Sequence, residues 1–130
     1  MKRILIVDDQ PVLRAMVRDI LEEWSTPLQV SEAESGPEAL VYLQSEPFDL
    51  VICDIKMPVM DGFEVVQKIR AGSLNPDLPI ILLTAESDPD SIARGASLGA
   101  TSYLTKPFNE TELVEAVEAF VGSRLPTLQK

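Results

Sequence analysis

Residues 3–7 of this chain read RILIV, residues 50–53 LVIC and residues 79–84 PIILLT, three apolar runs with almost no polar interruption. A strand with one wet face alternates apolar and polar residues. Unbroken runs are therefore strands buried on both faces, as in a parallel sheet covered by helices on either side. Residues 28–33, LQVSEA, and 101–105, TSYLT, are shorter and mixed, which suits the two edges.

Helical periodicity fills the gaps. Pro11 stands where a first helical residue would, and Leu13, Met16, Val17, Ile20, Leu21 and Trp24 form one apolar stripe before Ser25-Thr26-Pro27 stops it. Gly36-Pro37 opens a second helix to about residue 46, with Ala39, Leu40 and Leu43 inward. Phe63, Val65, Val66 and Ile69 mark a third, ended near Gly72 and Asn75-Pro76. A fourth, over residues 88–98, is weak: Gly95 costs it ~1 kcal/mol relative to Ala, and its apolar face is thin. Asn109 followed by Glu112 starts the fifth, with Leu113, Val114, Val117, Phe120 and Val121 as its stripe. Strict alternation of strand and helix predicts an α/β fold. Apolar runs at the centre and right-handed crossovers then give a doubly wound, five-stranded parallel sheet of order 2-1-3-4-5, flavodoxin-like, with helices on both faces. The first and last helices share one face. Residues 1–122 form one domain, and residues 123–130 a flexible tail or the start of a linker.

Charge and composition exclude several classes. A net charge of -10 over 130 residues offers no clustered Lys and Arg for direct nucleic-acid binding. The apolar run near the N-terminus is too short for a signal peptide, and nothing reaches membrane-span length. A single cysteine, Cys53, within a buried run reads as a small core residue in a reducing cytoplasm. No histidine is present, so histidine chemistry must come from another molecule.

The strand ends carry the chemistry. Asp8 and Asp9 follow the first strand and Asp54 ends the third, and the proposed order makes those strands neighbours at the switch point, where ligands of open parallel sheets bind. Two carboxylates about 4 Å apart repel by roughly 4 kcal/mol at an effective dielectric near 20, so such a cluster wants a cation. All-oxygen donors select Mg²⁺ or Mn²⁺ over zinc. Thr84 ends the fourth strand and Lys106 the fifth, which brings a hydroxyl and an ammonium to the same edge. A carboxylate nucleophile, charge-neutralising cations and a hydroxyl for the product describe a phosphoryl-transfer site. Taken alone, Asp8-Asp9 could equally cap the first helix and Thr84 could be an ordinary strand end, but the edge they share with Asp54 and Lys106 favours the chemical reading; Tyr103, on an edge strand, reads from the residues alone as half-buried packing. Met16, Met60 and Trp24 read as packing.

Asp8-Asp9, the Asp54 turn with Met57-Pro58 and Asp61-Gly62, Thr84-Ala85 and Lys106-Pro107 together resemble the receiver domain of two-component response regulators, over nearly the whole chain. The resemblance implies that Asp54 accepts a phosphoryl group from a phosphohistidine on a sensor kinase or histidine phosphotransfer protein. It implies Mg²⁺ held by Asp9, Asp54 and the backbone carbonyl of Lys56, with Asp8 acting through water. Lys106 would pair with the phosphorylated Asp54, and Lys106-Pro107 would be cis. Thr84 and Tyr103 would form the switch, and the fourth helix, fifth strand and fifth helix the surface read by a downstream protein target or output domain. Kinase choice would lie around Leu13, Arg14 and Val17. Association into a dimer on phosphorylation stays open. Lys56 and Glu86, each two residues past a site residue, are expected to flank the site and tune hydrolysis of the acyl phosphate.

The alternative is a Mg²⁺-dependent phosphatase with an aspartyl nucleophile, similar to haloacid-dehalogenase-like enzymes. Those place a second acid two residues after the nucleophile. Here that position is Lys56, and the chain has little room for a substrate cap. The expectation is thus a self-modifying switch rather than a turnover enzyme.

Overall fold

The computed structural model describes residues 1–72, 75–85 and 89–125. Its elements run β1 (Lys2–Val7), α1 (Pro11–Leu21), β2 (Leu28–Ala33), α2 (Gly36–Ser45), β3 (Leu50–Asp54), α3 (Gly62–Ala71), β4 (Ile80–Ala85), α4 (Pro89–Leu98), β5 (Ser102–Lys106) and α5 (Glu110–Val121). All strands pair in parallel, in the order β2-β1-β3-β4-β5. The expected doubly wound α/β fold is therefore present.

The apolar runs lack alternation because both of their faces are covered. Leu5, Val7, Val51, Cys53, Ile80 and Leu82 point into a core with Ala39 of α2 and Phe63, Val65, Val66 and Ile69 of α3. Their neighbours Ile4, Ile6, Leu50, Ile52, Ile81 and Leu83 point the other way, against Val17, Ile20 and Leu21 of α1 and Leu113, Val114 and Val117 of α5. Each such Ile or Leu, fully removed from water, contributes about 1.5–3 kcal/mol relative to exposure, so the central strands anchor the fold. The helices start on real caps. Ser35 Oγ accepts from Glu38 N–H at 3.2 Å, Asp61 Oδ1 accepts from Glu64 N–H at 2.9 Å, and Asn109 with Glu112 forms a full capping box. The N-cap of α1 is Gln10, with no side-chain bond, so neither Asp8 nor Asp9 is spent on capping.

Three local readings change. The helix α1 ends at Leu21 rather than running to Trp24. Trp24 is nonetheless buried, because its indole N–H reaches the carbonyl of Gly122 at 3.1 Å and packs the end of α1 against the end of α5. Met16 is not packing: it is 39% exposed, since the helical repeat aims Leu13, Val17, Ile20 and Leu21 at the sheet and leaves Met16 outside that arc. The segment after α5 also turns back, with Ser25 N–H donating to the Arg124 carbonyl at 2.9 Å and Arg124 N–H to Glu118 Oε2 at 2.7 Å. Residues 126–130 lie outside the described residues.

In α4, the glycine that weakens the helix also lets it approach the sheet. A Cβ on Gly95 would sit 2.8 Å from Leu82 Cδ1. Next to it, the Arg94 guanidinium lies 4.3 Å from the centroid of the Phe63 ring and ties α4 to α3.

Candidate functional site

Parallel pairing of β1 with β3, with Val7 opposite Cys53, brings the next residues, Asp8 and Asp54, side by side at the carboxyl edge. Asp9 joins them, and oxygens of all three carboxylates lie within 4.8 Å of one another. Asp8 is fully buried and Asp54 is 6% exposed, whereas Asp9 faces solvent. From the end of β5, Lys106 places its Nζ 3.1 Å from Asp54 Oδ1 and 3.4 Å from Asp8 Oδ2. Asp8 Oδ1 accepts from the N–H of Gln10 at 2.8 Å. The Lys106-Pro107 peptide is cis.

Burial raises the pKa of the Asp54 carboxyl, and the charge of Asp8 adds to this; Lys106, by charge and hydrogen bond, and the N–H of Ile55 offset part of it. Burial also pushes the Cys53 thiol far up, so it stays protonated and donates to the Asp54 carbonyl at 3.3 Å. It is a core residue, not a ligand. The donors at this edge are therefore hard oxygens alone, and three carboxylates against one ammonium leave the cluster negative. That chemistry fits Mg²⁺ or Mn²⁺.

The turn after β3 is held by backbone contacts. Ile55 N–H donates to the Leu83 carbonyl at 3.2 Å and Gly62 N–H to the Ile55 carbonyl at 2.9 Å. A Cβ on Gly62 would collide with the Asp54 carbonyl oxygen. Between them Val59 adopts φ 70° and is 94% exposed, an uncommon conformation for a β-branched residue.

A cavity of about 200 Å³ opens over this cluster, lined by Gln10, Asp54, Lys56, Thr84, Ser91 and Lys106 among others. Thr84, 3% exposed, thus reaches the same space as Asp54. A second cavity, about 190 Å³, lies under α4 and shares Thr84 and Ser91 with the first; Gly95 and Tyr103 also line it. Tyr103 as a whole is 51% exposed. A third cavity, about 540 Å³, is at the other end of the sheet beside Phe48 and Leu78, and Glu46 in its lining is paired with Arg3 at 3.1 Å.

The residues read from sequence as a site, Asp8, Asp9, Asp54, Lys56, Thr84 and Lys106, are thus brought together. Glu86 lies outside the described residues. The proposed kinase-choice residues need correction. Val17 is fully buried beneath the helix, and the Arg14 guanidinium is turned inward, pairing with Glu32 Oε1 at 3.0 Å. Gln10 and Ser91 were missed as lining residues, because neither ends a strand and nothing in their sequence neighbourhood signals a cavity.

Comparison with known proteins adds independent support. The family profile described as "Response regulator receiver domain" matches residues 4–118. The chain is 36% identical over 118 residues to the phosphate regulon transcriptional regulatory protein PhoB of Pseudomonas aeruginosa, covering 91% of this chain and 51% of that protein. Against the response regulator GtcR of Aneurinibacillus migulanus the identity is again 36%, over 91% of this chain and 47% of GtcR. The chain thus spans about half the length of these two relatives. It is 34% identical to the chemotaxis protein CheY of P. aeruginosa, covering 89% of this chain and 93% of CheY. Among solved structures, chemotaxis protein CheY4 of Vibrio cholerae superposes with a TM-score of 0.85 at 38% identity, over 93% of this chain and 99% of that one.

Proposed function

The chain belongs to the family of response regulator receiver domains, and on that premise we propose that it is a phosphorylation-activated switch of a two-component system, with Asp54 as the phosphoacceptor. The observation that carries this is the placement of Asp54: nearly buried, 3.1 Å from Lys106, and open to a cavity that also holds Thr84. A carboxylate oxygen of Asp54 attacks phosphorus, the P–N bond of the donor's phosphoimidazole breaks, and the imidazole leaves with that electron pair. The donor is a sensor histidine kinase or a histidine phosphotransfer protein, since this chain has no histidine of its own.

Asp8, Asp9, Asp54 and the Lys56 carbonyl would hold Mg²⁺, or Mn²⁺ in its place. When bound, the ion supplies charge neutralisation for an incoming dianionic phosphoryl group. Lys106 pairs with the Asp54 carboxylate and then with the phosphoryl oxygens. Thr84 donates its hydroxyl to the product, and its departure from the shared wall of the two cavities lets Tyr103 turn inward under α4. The altered face of α4, β5 and α5 is then read by a protein target or an output domain, and two phosphorylated copies meeting there would make a dimer. The protein works in the reducing cytoplasm. Among the described residues no helix is long and apolar enough to cross a membrane.

Incubation with Mg²⁺ and acetyl phosphate tests the reading: one phosphoryl adduct per chain by intact mass, not formed when EDTA is present from the start or in Asp54→Asn, supports it. Turnover of added phosphomonoesters without a lasting adduct would support the aspartyl phosphatase instead. Lys56, two residues after Asp54, speaks against that alternative because it cannot serve as the second carboxyl acid.

A further inference from the structure

The Asp8-Asp9 corner is held from behind by a residue that lines neither of the two cavities at this edge and bonds none of the three clustered carboxylates. After Asp8 N–H closes the ladder onto the Ala33 carbonyl at 3.1 Å, β1 ends, and the Asp8 carbonyl has no strand partner ahead of it. Arg14 supplies one. Its Nη1 donates to the Asp8 carbonyl at 2.6 Å while its Nε donates to Glu32 Oε1 at 3.0 Å, and its side chain is 14% exposed. Glu32 sits on β2 opposite Ile6, two residues before the corner. Its other oxygen accepts from Arg18 Nε at 2.6 Å, and Arg18 in turn donates to the Val30 carbonyl at 3.1 Å. A planar guanidinium held at two points has one orientation, so the direction of the Asp8 peptide is fixed by β2.

We infer that Arg14 is a positioning residue for the acidic cluster: through the Asp8 carbonyl it sets the backbone that aims the Asp8 and Asp9 carboxylates toward Asp54. This rests on the reading of the cluster as a cation site. Outer partners that orient ligands typically govern metal affinity by 10–100-fold. Electrostatics alone predicts the opposite sign, because removing a positive charge beside three carboxylates strengthens cation binding. Arg18 provides the internal control, since it shares Glu32 but touches no part of the corner.

The test is Mg²⁺ titration of the full chain by calorimetry, with melting temperatures measured alongside. Arg14→Gln should weaken Mg²⁺ binding by about tenfold or more. Arg18→Gln should change it by less than about twofold although it also loses a Glu32 ion pair and stability. Arg14→Lys, which can reach the carbonyl or Glu32 but not both, should fall between. If Arg14→Gln does not fold, Arg14→Lys is compared with Arg18→Gln, and weakening confined to Arg14→Lys supports the inference. Unchanged or tighter binding in the Arg14 variant, or equal weakening in the Arg18 variant, overturns it. A wild type that binds no Mg²⁺ overturns the reading of the site and this inference with it.

Discussion

Replacing Gly62 by alanine should damage stability and phosphorylation together, from one cause. Gly62 opens α3 directly behind the Asp54–Ile55 peptide. An added Cβ would collide with the Asp54 carbonyl oxygen and lie 2.9 Å from Ile55 Cα and 3.1 Å from the Asp54 carbonyl carbon. All three are backbone atoms, so no rotamer change relieves the contact, and the turn must open by about half an ångström or more. Alanine gains at most ~1 kcal/mol of helix propensity there. Forced overpacking costs ~1–3 kcal/mol, and backbone on every side puts this site at the upper end. The net expectation is a loss of about 2 kcal/mol, which lowers the urea midpoint by roughly 1 M and leaves the domain folded. The displaced atoms belong to Asp54, and a shift of ~1 Å at a reacting group can cost ~100-fold, so labelling by acetyl phosphate should slow by about tenfold or more. Gly72→Ala is the control. Its Cβ would stand 3.3 Å from the Lys68 carbonyl oxygen, a tight contact that a shift of a few tenths of an ångström at the helix end relieves, so the change should stay within ~1 kcal/mol with normal labelling. A Gly62→Ala protein with wild-type midpoint and labelling rate would refute the account of this turn.

Three other outcomes are expected. Because burial holds the Asp54 pKa above its ordinary 3.8, its stabilising contribution is complete below pH 3.8 and lost as pH rises through the folded value. Metal-free Asp54→Asn should therefore outlast wild type in urea at pH 7, with the gap closing on acidification; a wild type that is the more stable at pH 7 in EDTA would contradict this. Glu32 behaves oppositely: burial raises its pKa, but hydrogen bonds and charge from Arg18 and Arg14 outweigh this and hold it below 4.5. Its contribution is present above pH 4.5 and lost as pH falls through the lowered value, so Glu32→Gln should cost about 1 kcal/mol at pH 7 and little in strong acid, read as urea midpoints across pH. Finally, Trp24→Phe keeps most of the buried ring but leaves the Gly122 carbonyl without its donor at 3.1 Å, and should lower stability by ~1 kcal/mol without altering labelling by acetyl phosphate.

The site was legible in the chain for a simple reason. In a parallel sheet every strand ends at the same edge, so unbroken apolar runs locate the edge, and the residues just past them, Asp8, Asp9, Asp54, Thr84 and Lys106, are neighbours whatever their separation in sequence. What stayed hidden depends on contacts between elements of different period. Arg14 looks like one more polar residue on a wet helix face, and only the packing angle of α1 over β2 turns it toward Glu32 and the Asp8 carbonyl. Trp24 falls on the apolar stripe of α1 by spacing, yet its burial is made by the end of α5, nearly a hundred residues later. Met16 misled for a related reason: an apolar side chain one position off the buried arc looks the same in sequence as one inside it.

The central strands send alternate side chains into two separate cores, and this makes the sheet a partition. Among the described residues, the core under α2 and α3 and the core under α1 and α5 share no side chain. Substitutions such as Val65→Ala and Leu113→Ala, on opposite sides, should add in free energy to within ~0.5 kcal/mol, whereas pairs within one core should not. Evolution can therefore repack one side without renegotiating the other. The reactive edge, where both sides meet at the strand ends, is a place at which a change must satisfy both.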